Sequence, residues 1–269
     1  DLKSFCLNCL KGIKPNKKNI QKHLQNSLML VTALNKHIGY DNAAKIAKKA
    51  FKENLTLKKA ASKLKIIDEK EFGKVLWMRG RYGKSVDESF YGSWRAKMKY
   101  AGGGILIDQG IHMIDLFLHL GGDFDTVHAS VSNLYWNLNV EDNVFATLEN
   151  SETGLAASLH STMTQWRHLF SLEVFLEKGY LILNGLKTSS NSYGNEILTI
   201  TKNRSQAPAA TWEDEEDITY HADKSWRSEA VEFFSAIQSN RSVAIGNSAD
   251  ALKLMKIIDK IYSFRKKEF

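Results

Sequence analysis

The stretch from Gly102 to Gly122, GGGILIDQGIHMIDLFLHLGG, constrains the fold of this 269-residue chain more than any other. Three glycines open it, two close it, and the intervening residues are apolar on nearly every side: Leu106, Ile107, Ile111, Met113, Ile114, Leu116, Phe117, Leu118 and Leu120. A helix apolar all round is expected to be buried. Asp108, His112 and Asp115 follow an i, i+4, i+7 spacing, which sets them on one face of that helix. Burying a carboxylate is costly unless it is paired or hydrogen-bonded, so the polar line implies a pocket or an internal network. Imidazole titrates near neutrality and can move a proton. The leading glycines would let a ligand approach the backbone N–H groups. The residues alone leave two other readings open: a satisfied structural Asp–His network, and a metal site built on the same helical spacing.

Trp94-Arg95, then Tyr100-Ala101-Gly102-Gly103-Gly104, then Asp108-x-Gly-x-His112-x-x-Asp115-Leu together resemble the Gfo/Idh/MocA family of NAD(P)-dependent oxidoreductases. There these residues open the C-terminal, substrate-binding domain. The resemblance implies His112 as general acid/base and Asp108 as the carboxylate that holds substrate. It also implies a sugar or polyol substrate, NAD or NADP as cofactor, and a homo-oligomer formed through the sheet. Trp94, Arg95, Asp115, Trp166 and Arg167 are the further candidates for substrate contact. Aromatic rings can stack on a sugar, and arginine can hold a carboxylate or hydroxyls.

The chain is long enough for two modest domains, and charge separates its halves. Residues 1–72 carry sixteen lysines and no arginine against six acidic residues, whereas the remainder is slightly acidic. The lysines are spread over helices with few aromatic residues to stack on bases, so a solvated face is expected rather than nucleic-acid binding. No apolar run reaches the length of a membrane span. Cys6 and Cys9 lack a second ligand pair and read as buried thiols. A cytoplasmic location is expected.

Residues 1–72 show helical periodicity only, with helices expected at 17–34, 41–53 and 57–65. The segments Gly12-Ile-x-Pro15-Asn16 and Ser27-Leu-Met-Leu-Val-Thr32-Ala-Leu-Asn35-x-His37-Ile-Gly39-Tyr40-Asp41 resemble the C-terminal helical domain of class II fumarase. That family's catalytic loop and its catalytic His and Ser regions are absent, so a structural tail is implied, with His37 and Tyr40 as packing residues.

From residue 73 the pattern becomes strand-like. Strands are expected at 74–82 and near 125–136, 142–150, 154–163, 169–178, 179–184 and 195–202, with closing helices at 225–239 and 248–266. The fold class is therefore α+β: an all-α segment over 1–72, then an antiparallel sheet domain with flanking helices over 73–269. No Gly-x-Gly-x-x-Gly turn or βαβ series marks a Rossmann domain. The family's Glu-Lys-Pro signature is missing too, since proline occurs only at 15 and 208. The chain is thus expected to be catalytically incomplete. A non-enzymatic assembly or adaptor module is the main alternative; residual fumarate hydration is a further one.

Overall fold

A computed structural model describes residues 72–202, 211–243 and 246–265. The helices expected before residue 72, with Cys6, Cys9, His37 and Tyr40, lie outside the described residues. All the described residues belong to one compact unit, Glu69–Phe269.

Among them the centrepiece is one eight-stranded sheet, in the order β2-β3-β4-β1-β5-β6-β7-β8. Its strands are β1 (Val75–Ser85), β2 (Thr126–Ser132), β3 (Asn143–Glu149), β4 (Ala156–Thr162), β5 (Thr164–Leu176), β6 (Gly179–Asn184), β7 (Glu196–Lys202) and β8 (Glu216–Tyr220). The α+β class and the antiparallel meander hold, with one exception. β1 is inserted between β4 and β5 and runs parallel to β4. β4 and β5 are separated only by Met163, so the chain passes over the end of β1 there and returns along its other side. β5 begins at Thr164, earlier than its sequence suggests, and β8 was not foreseen.

Alternation along β1 decides what packs where. Met78, Gly80 and Tyr82 face the core, and Trp77, Arg79 and Arg81 face outward. The core face is covered by the glycine-bounded helix α2 (Ile111–Gly121), after the single turn α1 (Met98–Ala101). A Cβ on Gly80 would lie 2.4 Å from Met113 and 2.8 Å from Phe117, so glycine is what lets the helix seat on the sheet. Phe117, Ile114, Met113 and Leu106 are fully buried. The chain ends in α3 (Ser225–Gln238) and α4 (Ser248–Tyr262). Helix α4 starts from an Asn247–Asp250 capping box and buries Ile257, Ile258 and Ile261.

The central helix departs from expectation in two ways. Leu106–Gly110 is a π-helical turn, not α-helix, and such turns insert an extra residue and rotate what precedes them. Asp108 lies within this turn, and His112 lies in the regular α-helix that follows. Second, the helix is buried on one side only: His112, Asp115 and His119 are exposed, and Leu120 is 42% exposed. His112 and Asp115 thus lie on an open surface, whereas Asp108 is partly buried and paired.

On the outer face of the sheet, Trp77 stacks on Phe175 at 4.1 Å between ring centroids, and Phe145 on His160 at 3.9 Å. Arg79 binds Glu173 through Nε (3.1 Å) and Nη2 (2.8 Å). An open groove of about 470 Å³ runs between Arg81, His128, Phe145 and His160. Among the described residues no helix is long and apolar enough to cross a membrane.

Candidate functional site

The end of β1, the loop after it and the π-turn meet at one carboxylate. Lys84 continues the inward-facing series of Gly80 and Tyr82, and its ammonium pairs with Oδ2 of Asp108. Arg95 approaches the other oxygen, Oδ1, with its Nε at 3.4 Å. The guanidinium also lies over the Trp94 ring, 4.4 Å from its centroid. Ser93 fixes the Trp94–Ala96 turn by accepting the Arg95 N–H at 3.2 Å. Trp94, Arg95 and Asp108 line a cavity of about 130 Å³ with Phe90, Gly103, Gly104 and Met163. Two cations share one partly buried carboxylate, so the cluster carries a net positive charge.

His112 is on the exposed side of α2, with its ring 6.2 Å from that of Tyr82. Among the described residues neither His112 nor Asp115 has a hydrogen-bond or ion-pair partner. Asp108 is therefore held by Lys84 and Arg95, not by His112. Beneath lies a second polar layer. Gln109 Nε2 donates to the Tyr193 hydroxyl at 2.5 Å, and its Oε1 is buried without a partner. Tyr193 packs edge-on against Tyr82 and His168. Burial pushes the Tyr82 and Tyr193 hydroxyls above their ordinary range, and Tyr82 adds to the effect on Tyr193. Burial, then the Lys84 charge, depresses His168.

The other candidates are dispersed. Trp166 is 100% exposed, and neither it nor Arg167 lines the cavity. Trp136 is a core residue whose indole N–H donates to the Met163 carbonyl at 3.1 Å. No group of three or more His, Cys, Asp or Glu among the described residues is placed to hold a metal ion.

Gly103 and Gly104 border the cavity, but the N–H groups of the helix start are taken by protein acceptors. Oε1 of the fully buried Glu141 accepts the N–H groups of Gly104 (2.8 Å) and Leu106 (3.1 Å) and the Tyr262 hydroxyl (2.8 Å). The Ile105 N–H donates to the Glu141 carbonyl at 3.1 Å. The glycines answer to packing: a Cβ on Gly104 would lie 1.9 Å from the Glu141 carbonyl oxygen, and one on Gly103 2.0 Å from the Tyr262 hydroxyl. The turn most apt among the described residues for a dinucleotide phosphate is thus already occupied by a carboxylate, and a nicotinamide dinucleotide does not fit it.

Lys84, Glu141, Gln109, Tyr193 and His168 were not singled out from sequence. Lys84 left a signal, being a charge at an inward position of a strand; Glu141 and Asp142, side by side before an alternating strand, left a fainter one.

Comparison with known proteins sets this geometry in context. Residues 64–182 match the GFO/IDH/MocA C-terminal domain. Residues 30–79 match the Fumarase C C-terminus, so the two matches overlap at 64–79. The N-terminal part is 60% identical over 75 residues to the class II fumarate hydratase of Bacillus subtilis and 58% over 73 residues to that of Rickettsia felis. These stretches make up 28% and 27% of this chain but only 16% of each of those enzymes.

Among solved structures, levoglucosan dehydrogenase in complex with NADH superposes with a TM-score of 0.59 at 20% identity, over 87% of this chain and 62% of that one. Aldose-aldose oxidoreductase from Caulobacter crescentus gives 0.58 at 18%, over 89% and 67%. The WlbA dehydrogenase from Bordetella pertussis, in complex with NADH and UDP-GlcNAcA, gives 0.55 at 19%, over 74% and 56%. The described unit shares their fold. The chain joins a part that matches the Fumarase C C-terminus to a part that matches the GFO/IDH/MocA C-terminal domain.

Proposed function

We propose that residues 73–269 form the substrate-binding part of an NAD(P)-dependent sugar or polyol oxidoreductase, joined at about residue 72 to a fumarase-like tail. The single observation that carries this is a cavity lined by Trp94, Arg95 and Asp108, with Lys84 and Arg95 both paired to the Asp108 carboxylate, within the segment that matches the GFO/IDH/MocA C-terminal domain.

Each residue has a task it is equipped for. A carboxylate has about four lone-pair sites; Lys84 and Arg95 take part of that capacity at Asp108, and the rest can accept substrate hydroxyls. The half-exposed Trp94 ring offers an apolar face to the C–H side of a sugar. His112 takes the proton of the carbinol hydroxyl, or returns it, as general base or acid. Asp115, one turn further along the exposed face, accepts a second hydroxyl. Trp166 and Arg167 belong to an outer rim. A nicotinamide cofactor, when bound, would supply the hydride chemistry, and it does not fit the helix start. The chain by itself is proposed not to turn over NAD(P)H. A cytoplasmic location completes the reading.

The test is an NMR titration of the full chain with levoglucosan, L-sorbose and glycerol, ligands that accompany structures of similar fold. Saturable shifts of the Trp94 indole and His112 ring signals are expected with at least one of them. A folded chain whose spectrum is unmoved by all three would contradict the reading.

A further inference from the structure

Helix α3 is amphipathic the wrong way round. Trp226, Ala230, Phe233 and Ile237 follow the i, i+4, i+7, i+11 spacing of a single helical face, and that face points to solvent. Trp226 is 79% exposed, Phe233 55% and Ile237 60%, with Phe234 alongside at 63%. The residues turned toward the rest of the unit are small or polar: Ala236 is buried, and Glu232 and Ser235 are half-buried. A surface helix ordinarily buries its large apolar side chains, and a contiguous apolar stripe left outside marks an interaction surface.

We propose that this stripe pairs with the same stripe on a second copy of the chain, the two α3 helices lying antiparallel about a two-fold axis. The sequence of the stripe is self-complementary in that arrangement. An axis crossing the helix between Val231 and Glu232 sets Trp226 against the partner's Ile237 and Ala230 against the partner's Phe233. Large residues then meet a small one at the centre and an aliphatic one at the ends, as an isologous contact requires. The area is adequate. Aromatic side chains bury roughly 150–250 Å² each, so the exposed fractions of Trp226, Phe233 and Phe234, with Ile237, offer on the order of 500 Å² per copy. About 1,000 Å² in total reaches the lower bound for a specific interface, which points to a reversible dimer.

This surface is distinct from the outer sheet face, and one experiment separates the two. Sedimentation velocity of the full chain from about 1 to about 100 µM spans the affinities expected of so small an interface. A concentration-dependent monomer–dimer equilibrium is expected. Phe233→Lys and Ala230→Glu should each weaken it at least tenfold, while Phe145→Asp on the sheet leaves it unchanged. Both α3 changes are at exposed positions, so thermal midpoints measured in dilute solution should match the parent and show that folding is intact. A monomer at every concentration, or a dimer indifferent to both α3 changes, would overturn the proposal. A dimer lost only in Phe145→Asp would assign association to the sheet face instead.

Discussion

Glu141 closes the start of the glycine-rich helix: its Oε1 accepts the Gly104 N–H at 2.8 Å, while the Gly104 α-carbon sits so close to the Glu141 backbone that no side chain fits between them. The carboxylate satisfies the N–H groups that any helix start leaves orphaned and sits at the positive end of the helix dipole. Tyr262 from α4 adds its hydroxyl, so one buried side chain ties the central helix to the closing helix. Its other oxygen, Oε2, has no partner.

This relationship predicts a large stability effect. Hydrogen bonds to a charged group contribute about 1.5–3 kcal/mol each, and Glu141→Ala removes three while opening a cavity. A loss of at least about 3 kcal/mol is expected in urea unfolding, with Glu141→Gln milder because an amide oxygen can accept the same bonds. Gly104→Ala should be as damaging as Glu141→Ala, since its Cβ meets backbone, not a movable side chain. A Gly104→Ala protein as stable as the parent would contradict this geometry.

His112→Ala should behave in the opposite way. His112 is exposed and unpartnered, so its removal is expected to change stability by no more than about 0.5 kcal/mol, while abolishing any proton-transfer role. If thermal melts show the variant clearly destabilised, His112 is a structural residue and the proposed site loses its acid/base.

The histidines predict a pH dependence. Burial, then the Arg81 charge, lowers the pKa of His160, and burial, then Lys84, lowers that of His168. Each is neutral in the folded chain at a pH where the unfolded chain already binds a proton. Stability from these groups is complete above the unfolded value of about 6.5 and falls as pH drops through the window down to the folded pKa. Melting temperatures should therefore decline as the pH falls below about 6.5, and His160→Gln should flatten part of the slope. An unchanged slope in that variant would rule out His160 as a contributor.

The occupied helix start predicts that the full chain shows no saturable change in NADH fluorescence at physiological salt. The lysines of residues 1–72 attract anions only weakly, and salt screens them. Saturable, salt-resistant binding would reveal a cofactor site outside the residues described here.

Much of the sheet could be read from the sequence because its faces differ: Phe170, Leu172, Val174 and Leu176 alternate with polar neighbours, and the structure buries that set. The class and the order of elements followed from such periodicity. The position of β1 did not, since hydrophobic alternation carries no information about which strand lies beside which. The π-turn was also hidden. Leu106–Gly110 has the composition of ordinary helix, and only the packed structure reveals the π-turn. The glycines were noticed for the right property, close backbone approach, but the approaching group is Glu141, thirty-seven residues along the chain. Side chains that act through long-range pairing leave little trace in local sequence, which is why Lys84 and Glu141 emerged only from the fold.

The most direct test of the proposed substrate site is isothermal titration of the full chain with whichever of the three titrated ligands moves its NMR spectrum, set beside Lys84→Met and Asp108→Asn. The account predicts saturable binding by the parent chain. Asp108→Asn should weaken it by at least about tenfold, the equivalent of one charge-assisted hydrogen bond of about 1.5 kcal/mol or more, and Lys84→Met should weaken it as well, since it releases the carboxylate from its position. Equal binding by the parent and both variants would contradict the assignment of this cluster as the substrate site.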